Sequence, residues 1–420
     1  MSTSTIGIDI GTSAIKGALL SESGEILATF TRSTALDRPS PNEVVFSSDR
    51  CYEILCEVLQ ALTKTEKAGR IRAVTLSGAT GDTLLLDKDG IPLLPTIHWM
   101  DTRTMEDPSI DPPGISTAEI YQISGWPWSR VFPLAHLAWL KAHQADAYRQ
   151  AHRVGMNLTY QYYRLCGAWA IDPSTATTFY LQNQQRQKWH QPYLDWLGLQ
   201  NRQLPELRPS GNCIGRISRQ AASETGLSES CAVVLGTFDH PSAARGAGVT
   251  QRGDLLLSLG TSWVGFYPVK NREAALKQNM LVDPFLSGEN GPWGAMFSLA
   301  KAGEKLNEAL QLTYPDASSA TVRHDRIEHD LRQVLNGEVS DNPATTMIRE
   351  LVGAMHEKMK TFSLQGITAD RIVLVGGPSA NKAIVDLFRK IMGKPIQIAP
   401  SSGHSGAVGA ARLAAKGISL

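Results

Sequence analysis

The pattern of apolar and polar positions shows one motif twice. Near the N-terminus an apolar run broken by a single acid, Ile6-Gly7-Ile8-Asp9-Ile10, leads into Gly11-Thr12-Ser13 and a second run, Ala18-Leu19-Leu20. In the second half, Leu255-Leu256-Leu257 leads into Gly260-Thr261-Ser262 and a further apolar stretch. Runs this short, bounded by turn residues, predict buried strands rather than helices. A Gly-Thr-Ser turn after a strand exposes backbone N–H groups and two hydroxyls, a natural seat for an anion and most simply for phosphate. The repetition predicts two related domains that address one ligand. The repeats differ where it matters: aligned on the turns, Asp9 stands opposite Ser258. A carboxylate inside an apolar strand is costly to bury alone, so Asp9 is predicted to meet a cation, with Mg²⁺ the natural choice beside a phosphate turn.

The remaining pattern fills in around these hairpins. In the first half, a third strand near 26–30 is followed by a polar, Pro-containing loop and a helix starting at Ser47 or Ser48, with Tyr52, Leu55, Leu59 and Leu62 on one face. A strand at 71–76 opens into Ser77-Gly78-Ala79-Thr80-Gly81-Asp82, and an extended piece carries Trp99-Met100-Asp101-Thr102-Arg103. Residues 104–130 read as loop, with helices over 134–140 and 158–165. The strand Val233-Val234-Leu235 delivers Asp239 to a helix start, where Pro241 favours the first turn. A domain cut near Gly246–Gly248 gives domains 1–246 and 247–420. The second half is expected to show strands at 255–259 and 263–267, a helix near 300–312, a polar stretch at 313–345 and a long helix at 345–364. A strand at 372–375 then ends in Gly376-Gly377, and a helix at 381–392, a strand at 396–398 and an Ala-rich closing helix complete it.

Length and charge narrow the class. A chain of 420 residues exceeds what one core usually supports, so two domains are expected. With 41 basic and 40 acidic residues there is no general field for nucleic acid or an anionic membrane. Five cysteines without CxxC spacing read as reduced core residues. The N-terminus lacks a basic region before an apolar core, so a cytoplasmic monomer or homodimer without signal peptide or membrane span is expected.

In this order the motifs resemble the FGGY carbohydrate kinases, two-domain enzymes of the actin-like ATPase superfamily. IGIDIGTSAIKGALL is similar to the family's first phosphate motif, WMDTR to its sugar-side segment, and HLAWLKAH to the helix before a long connector. VVLGTFDHPSAARGAG resembles the run through the catalytic Asp, SLGTS the second phosphate motif, and VGGPSANKAIVDLF the adenosine-binding strand–turn–helix. The resemblance implies an α/β fold of two actin-like (ribonuclease H-like) domains with a cleft between them, using ATP and Mg²⁺ on a small sugar. It assigns Mg²⁺ to Asp9 and terminal phosphates to Gly11, Thr12 and Ser13, opposed by Gly260 and Thr261. Gly376, Gly377 and Asn381 would border adenosine, and Asp239 would be the general base. Where xylulose and glycerol kinases carry bulky or charged sugar contacts this chain has Thr80-Gly81, and its 313–345 segment lacks the family's Gly-Glu-Arg-x-Pro run.

Phosphoryl transfer to an alcohol needs positioning, charge neutralisation and one proton acceptor. Asp239 suits the last role, with a helix N-cap as the lesser alternative. Lys16 reads either as a phosphate contact or a solvated strand lysine, and His240 as a wall residue beside the base. Ser77, Thr80, Asp82, Asp101 and Arg103 follow first-domain strands and form the expected acceptor side, with Asp101 and Arg103 either a hydroxyl-binding pair or a salt bridge. Short hydroxyls and one ion pair suit a neutral ketose or polyol, a pentulose foremost. An ATPase or phosphatase of the same superfamily, and a catalytically silent sensor on the same fold, are the alternatives.

Overall fold

Each Gly-Thr-Ser turn closes the central hairpin of a six-stranded sheet. The computed structural model describes residues 2–338 and 342–418, and the chain divides into two compact α/β units.

The first unit comprises residues up to Gly246, the segment Asp283–Gly288 and the residues from Gly406 onward. Its strands are β1 (Thr3–Ile10), β2 (Ala14–Ser21), β3 (Ile26–Ser33), β4 (Arg70–Gly78), β5 (Cys213–Arg216) and β6 (Ala232–Val234). They lie in the order β5-β6-β4-β1-β2-β3, with β6, β4 and β1 parallel and the flanking pairs antiparallel. Helix α1 (Ser48–Thr63) starts at Ser47, whose side chain accepts the Arg50 N–H. With α2 (Asn157–Cys166) it covers one face, where Ile6, Ile8, Ile10, Leu55, Leu59, Leu76 and Tyr162 form a continuous core. Side chains alternate along a strand, so the residues between them face the opposite side, where the closing helix Ser405–Gly417 packs through Ala407, Val408 and Ala411. Small residues make this approach possible. A Cβ on Gly7 would stand 2.0 Å from the Ala407 carbonyl oxygen and 2.2 Å from the Ala411 nitrogen.

The second unit repeats the plan. The strands β7 (Gly253–Leu259), β8 (Trp263–Val269), β9 (Leu281–Asp283), β10 (Trp293–Leu299), β11 (Ala369–Val375) and β12 (Ile396–Ile398) lie in the order β9-β10-β8-β7-β11-β12. Again a hairpin is followed by parallel strands: β7 pairs antiparallel with β8 and parallel with β11. The polar stretch expected at 313–345 contains a helix, Ala320–Leu335, while its residues 339–341 lie outside the described residues. Among its described side chains only Ile327 and Leu331 are buried, on a helix whose majority is polar. The loop-rich 104–130 region likewise holds a short helix, Thr117–Ser124, closed by a Ser116–Glu119 capping box. No described helix is long and apolar enough to cross a membrane.

Two glycines predict opposite outcomes on thermal denaturation. Gly7→Ala forces backbone against backbone, so a loss of about 1–3 kcal/mol or more is expected. Gly353, inside the helix Pro343–Ser363, has open space where a Cβ would be added, and Gly353→Ala should gain about 0.5–1 kcal/mol. Equal apparent Tm shifts of one sign would contradict the packing described.

Candidate active site

The carboxyl ends of β1, β4 and β6 meet at one edge of the first sheet, where ligands of open α/β sheets bind. Asp9, one residue before the end of β1, stands in register with Lys16 on β2 and Ser77 on β4. The following turn is closed by the Gly11 N–H on the Ala14 carbonyl at 3.0 Å. Thr34 holds it from outside, its N–H on the Ser13 carbonyl at 3.0 Å and its hydroxyl on the Thr12 carbonyl at 2.8 Å. On the other side of β4, Phe238 bridges to Gly78, and Asp239 follows as the first residue of α3 (Asp239–Gly246). The Asp239 carboxylate accepts the His240 N–H at 2.7 Å and is partly exposed. The imidazole Nε2 of His240 lies 3.9 Å from the same oxygen.

Between the β4–β6 ladder and the Gly78–Phe238 bridge, Tyr162 links the two chains. Its buried hydroxyl donates to the Leu76 carbonyl at 2.8 Å and accepts from the Leu76 N–H at 3.0 Å and the Gly236 N–H at 2.8 Å. Beyond the Gly78–Phe238 bridge the chains diverge into the segments that carry Thr80 and Asp239.

Asp9 is electrostatically exposed to its surroundings rather than satisfied. Burial, with the nearby Asp239 carboxylate adding to it and Lys16 opposing, pushes its carboxyl up to about 7. Its Oδ1 is buried with no hydrogen-bond partner among the described residues. The carboxylate lies against the start of the closing helix, where a Cβ on Gly406 would come within 2.4 Å of Oδ2. An orphaned carboxylate oxygen with a second acid nearby fits a divalent cation. No group of three or more His, Cys, Asp or Glu among the described residues forms a metal cluster, so such an ion would draw its other ligands from phosphate and water.

The acceptor-side residues divide into two groups. Ser77 is not on the loop: β4 runs through Gly78, and Ser77 is a fully buried strand residue beside Asp9 whose hydroxyl has no described partner. Thr80, Gly81 and Trp99 lie together. A Cβ on Gly81, which has φ +89°, would meet the Phe132 ring at 2.8 Å and Trp99 at 3.4 Å. A bulky side chain has no room there, and Phe132 takes its place. Asp101 is fully buried and spent on the protein. Its Oδ2 accepts from Val44 N–H and Arg103 Nη2, both at 2.7 Å, and its Oδ1 from Arg103 N–H and Nε at 3.0 and 2.9 Å. Arg103 lies over Trp139, 5.2 Å from the ring centroid, with Glu43 at 3.9 Å. The pair is the salt bridge of the two readings, and it braces the loop that presents Trp99.

An aromatic wall beside Asp239 escaped sequence reasoning. Trp126 meets Phe132 at 5.7 Å and Phe238 at 6.0 Å between centroids, Phe132 stacks on Tyr180 at 4.9 Å, and Phe238 meets His240 at 6.0 Å. Trp126-Pro127-Trp128 in an otherwise polar loop was the available signal.

In the second unit, Gly260 and Thr261 are exposed, and the helix Ala302–Thr313 starts against them, the Gly303 N–H donating to the Thr261 carbonyl at 2.9 Å. Gly376, at φ +99°, has no room for a side chain: a Cβ would be 2.4 Å from the Leu259 carbonyl oxygen. Gly377 is exposed beside it. Asn381 is buried as the cap of the helix Lys382–Met392. It accepts the Ile384 N–H at 3.1 Å and donates to the His324 carbonyl at 3.2 Å, so it supports the turn from behind.

Two actin-like units, each with a phosphate-type turn, and an acid pair in the first define a phosphotransferase scaffold. The N-terminal domain profile of the FGGY family of carbohydrate kinases matches residues 4–246 and the C-terminal domain profile matches residues 327–418. The chain belongs to the FGGY family of carbohydrate kinases, and it is a sugar kinase, for which ATP is the implied phosphoryl donor. It is 25% identical to the xylulose kinase of Escherichia coli K12, over 97% of this chain and 89% of that protein. It is 23% identical to the gluconokinase of Bacillus subtilis strain 168, over 62% of this chain and 51% of that protein. The ligand-bound xylulose kinase from Lactobacillus acidophilus has the same fold, with TM-score 0.87 and 20% identity over 100% of this chain and 90% of that one.

A pH-dependent stability follows from Asp9. A carboxyl raised from 3.8 to about 7 contributes stability that is fully present below the unfolded value and lost as pH rises through the folded one. Asp9→Asn should therefore raise the apparent Tm at pH 8 and change it little at pH 4 in the absence of ligands. A larger gain at pH 4 would contradict the burial of the charge.

Proposed function

We propose that the chain phosphorylates a small neutral ketose or polyol, a pentulose such as xylulose or ribulose foremost, at a terminal hydroxyl. The observation that carries this is the placement of two carboxylates, Asp9 and Asp239, at the ends of β1 and β6 on either side of β4, with the Gly11-Thr12-Ser13 turn following Asp9. They have different surroundings: Asp9 has a buried oxygen without a partner, while Asp239 is partly exposed beside the aromatic wall. Such a split suits two roles, one acid at a cation and the other at the acceptor hydroxyl.

In this reading Asp239 takes the proton from the terminal hydroxyl as its oxygen bonds to the γ-phosphorus, and the bond to ADP breaks. The backbone of Gly11, Thr12 and Ser13 in the first unit, and of Gly260 and Thr261 in the second, holds phosphate oxygens. Gly376 and Gly377 border the adenosine, with Asn381 holding their turn. Asp9 would hold Mg²⁺, which would supply neutralisation of phosphate charge. Thr80 and Trp99 contact the sugar, on a loop that Asp101 and Arg103 keep in place. The Arg103 guanidinium is already matched by Asp101 and Glu43, which argues for a neutral acceptor over a sugar acid, the substrate class named for the gluconokinase relative.

A coupled assay over xylulose, ribulose, glycerol and gluconate tests the acceptor. A neutral ketopentose should show the highest kcat/KM, and preference for gluconate, or ATP turnover indifferent to any sugar, would overturn the reading. Asp239→Asn should lower turnover about 10²–10⁴-fold with little change in the KM for ATP. Single-turnover activity within a few-fold of the native enzyme would remove Asp239 from the chemistry.

A further inference from the structure

The first unit holds a cavity that adjoins the proposed site, sharing Gly11, Thr12 and Trp99 with it. It has a volume of about 360 Å³ and lies under the first phosphate turn, walled chiefly by Ile10, Leu36, Phe46, Cys51, Ile54 and Trp99. Asp239, Thr80 and Arg103 are not among its lining residues. Ile10 and Asp9 are neighbours on β1 and so point to opposite faces of the sheet. The cavity therefore opens on the α1 side, away from the face where Asp9 meets the closing helix.

Its polar lining is sparse and specific. Asp82 is 3% exposed, and Asn157 N–H, at 2.6 Å from Oδ1, is the one hydrogen bond that it receives from another residue among those described. Burial pushes the Asp82 carboxyl up to about 7 and the Cys51 thiol up to about 12, and it pushes the His98 imidazole down to about 4. Arg50, at the rim, is engaged by Glu53 at 2.6 Å. A largely apolar cavity with one buried, under-used acceptor, a second acid (Asp37) only at its exposed mouth and no free buried cation selects a neutral ligand that carries a donor. A dry cavity of roughly 150 Å³ already holds benzene, so this one has room for a fused bicycle.

The walls connect it to the phosphate turn. Loop residue Thr34, part of the lining, makes the two hydrogen bonds that hold Thr12 and Ser13. Trp99, another wall, donates its indole N–H to Thr12 Oγ1 at 3.4 Å. A molecule pressing on this loop and ring acts on the backbone that would cradle phosphate.

We propose that this cavity is a second ligand site, taking a neutral, largely apolar molecule of bicyclic size that donates one hydrogen bond to Asp82, and that its occupancy changes the affinity for ATP through the Gly11–Ser13 turn. Indole, and indene as the same shape without the N–H, are the probes. Saturation-transfer NMR and calorimetry on the full chain should show indole bound several-fold more tightly than indene. Ile54→Trp fills the cavity and Ala35→Trp blocks it from the exposed loop, so at least one stays folded with native basal turnover. Either should weaken indole at least tenfold. Asp82→Asn keeps an acceptor for Asn157 but should erase the preference for indole over indene. With saturating indole the KM for ATP should move several-fold in the native enzyme and not in the blocked variants. Absence of binding, equal binding by indene, or unchanged binding in both blocked variants would overturn the proposal. So would simple competition with the sugar, which would make the cavity part of the acceptor site and leave the kinase reading itself untouched.

Discussion

A carboxylate held inside a β-strand organises the first unit. Asp9 sits among apolar neighbours at the end of β1, with Lys16 across the hairpin, Ser77 beside it and Asp239 near enough to raise its proton affinity. Nothing described in the protein satisfies its Oδ1. A fold keeps such a group only where a ligand completes it or where the cost is offset elsewhere. The glycines around it have one purpose in common: Gly7 and Gly406 let the closing helix lie on the strand, leaving no side chain to cover the acid.

From this constraint the rest of the site follows in steps. Parallel strands deliver their loops to one edge, and Tyr162 ties Leu76 of β4 to Gly236 just after β6. The loop after β4 carries Thr80 at the surface of the site, and the loop after β6 carries Asp239. The buried Asp101–Arg103 bridge ties the segment after Trp99 to Val44, and the aromatic cluster packs against Phe238 next to Asp239. The second unit shows the same scaffold without the acid. Ser258 pairs with Val264 and Val375 as Asp9 pairs with Lys16 and Ser77. One copy of the repeat therefore has the means to hold a cation and the other has a turn suited to phosphate alone.

Much of this was legible in the sequence because it rests on local signals. The two hairpins, Ser47 as a cap, the strand before Asp239 and the glycine turn at 376–377 each follow from period, turn chemistry or capping. Other features depend on tertiary context. Ser77 reads as a loop residue because Gly78 looks like a breaker, yet the parallel ladder extends β4 through it. Asp101 and Arg103 are compatible with either a ligand pair or a salt bridge until Val44 is seen to fill the remaining oxygen. The aromatic wall joins residues from 126 to 240 that no local window contains. The helix at 320–335 does carry Ile327, Leu331, Val334 and Leu335 at helical spacing, but these lie late in a stretch that is otherwise mostly polar. The assignment of the last helix to the first unit is a matter of packing, through the Gly7 contact, and no composition signal marks it.

The most direct test of the account is a titration of the Asp9 side-chain carboxyl carbon by NMR, in the protein labelled at aspartate and assigned with Asp9→Asn. Without ligands the account predicts a midpoint near 7, well above the ordinary carboxylate range, falling in Asp239→Asn and falling strongly when Mg²⁺ and a nucleotide are added. A midpoint near 4 that neither change moves would show that Asp9 is a satisfied structural acid, and would contradict its place at the centre of the site.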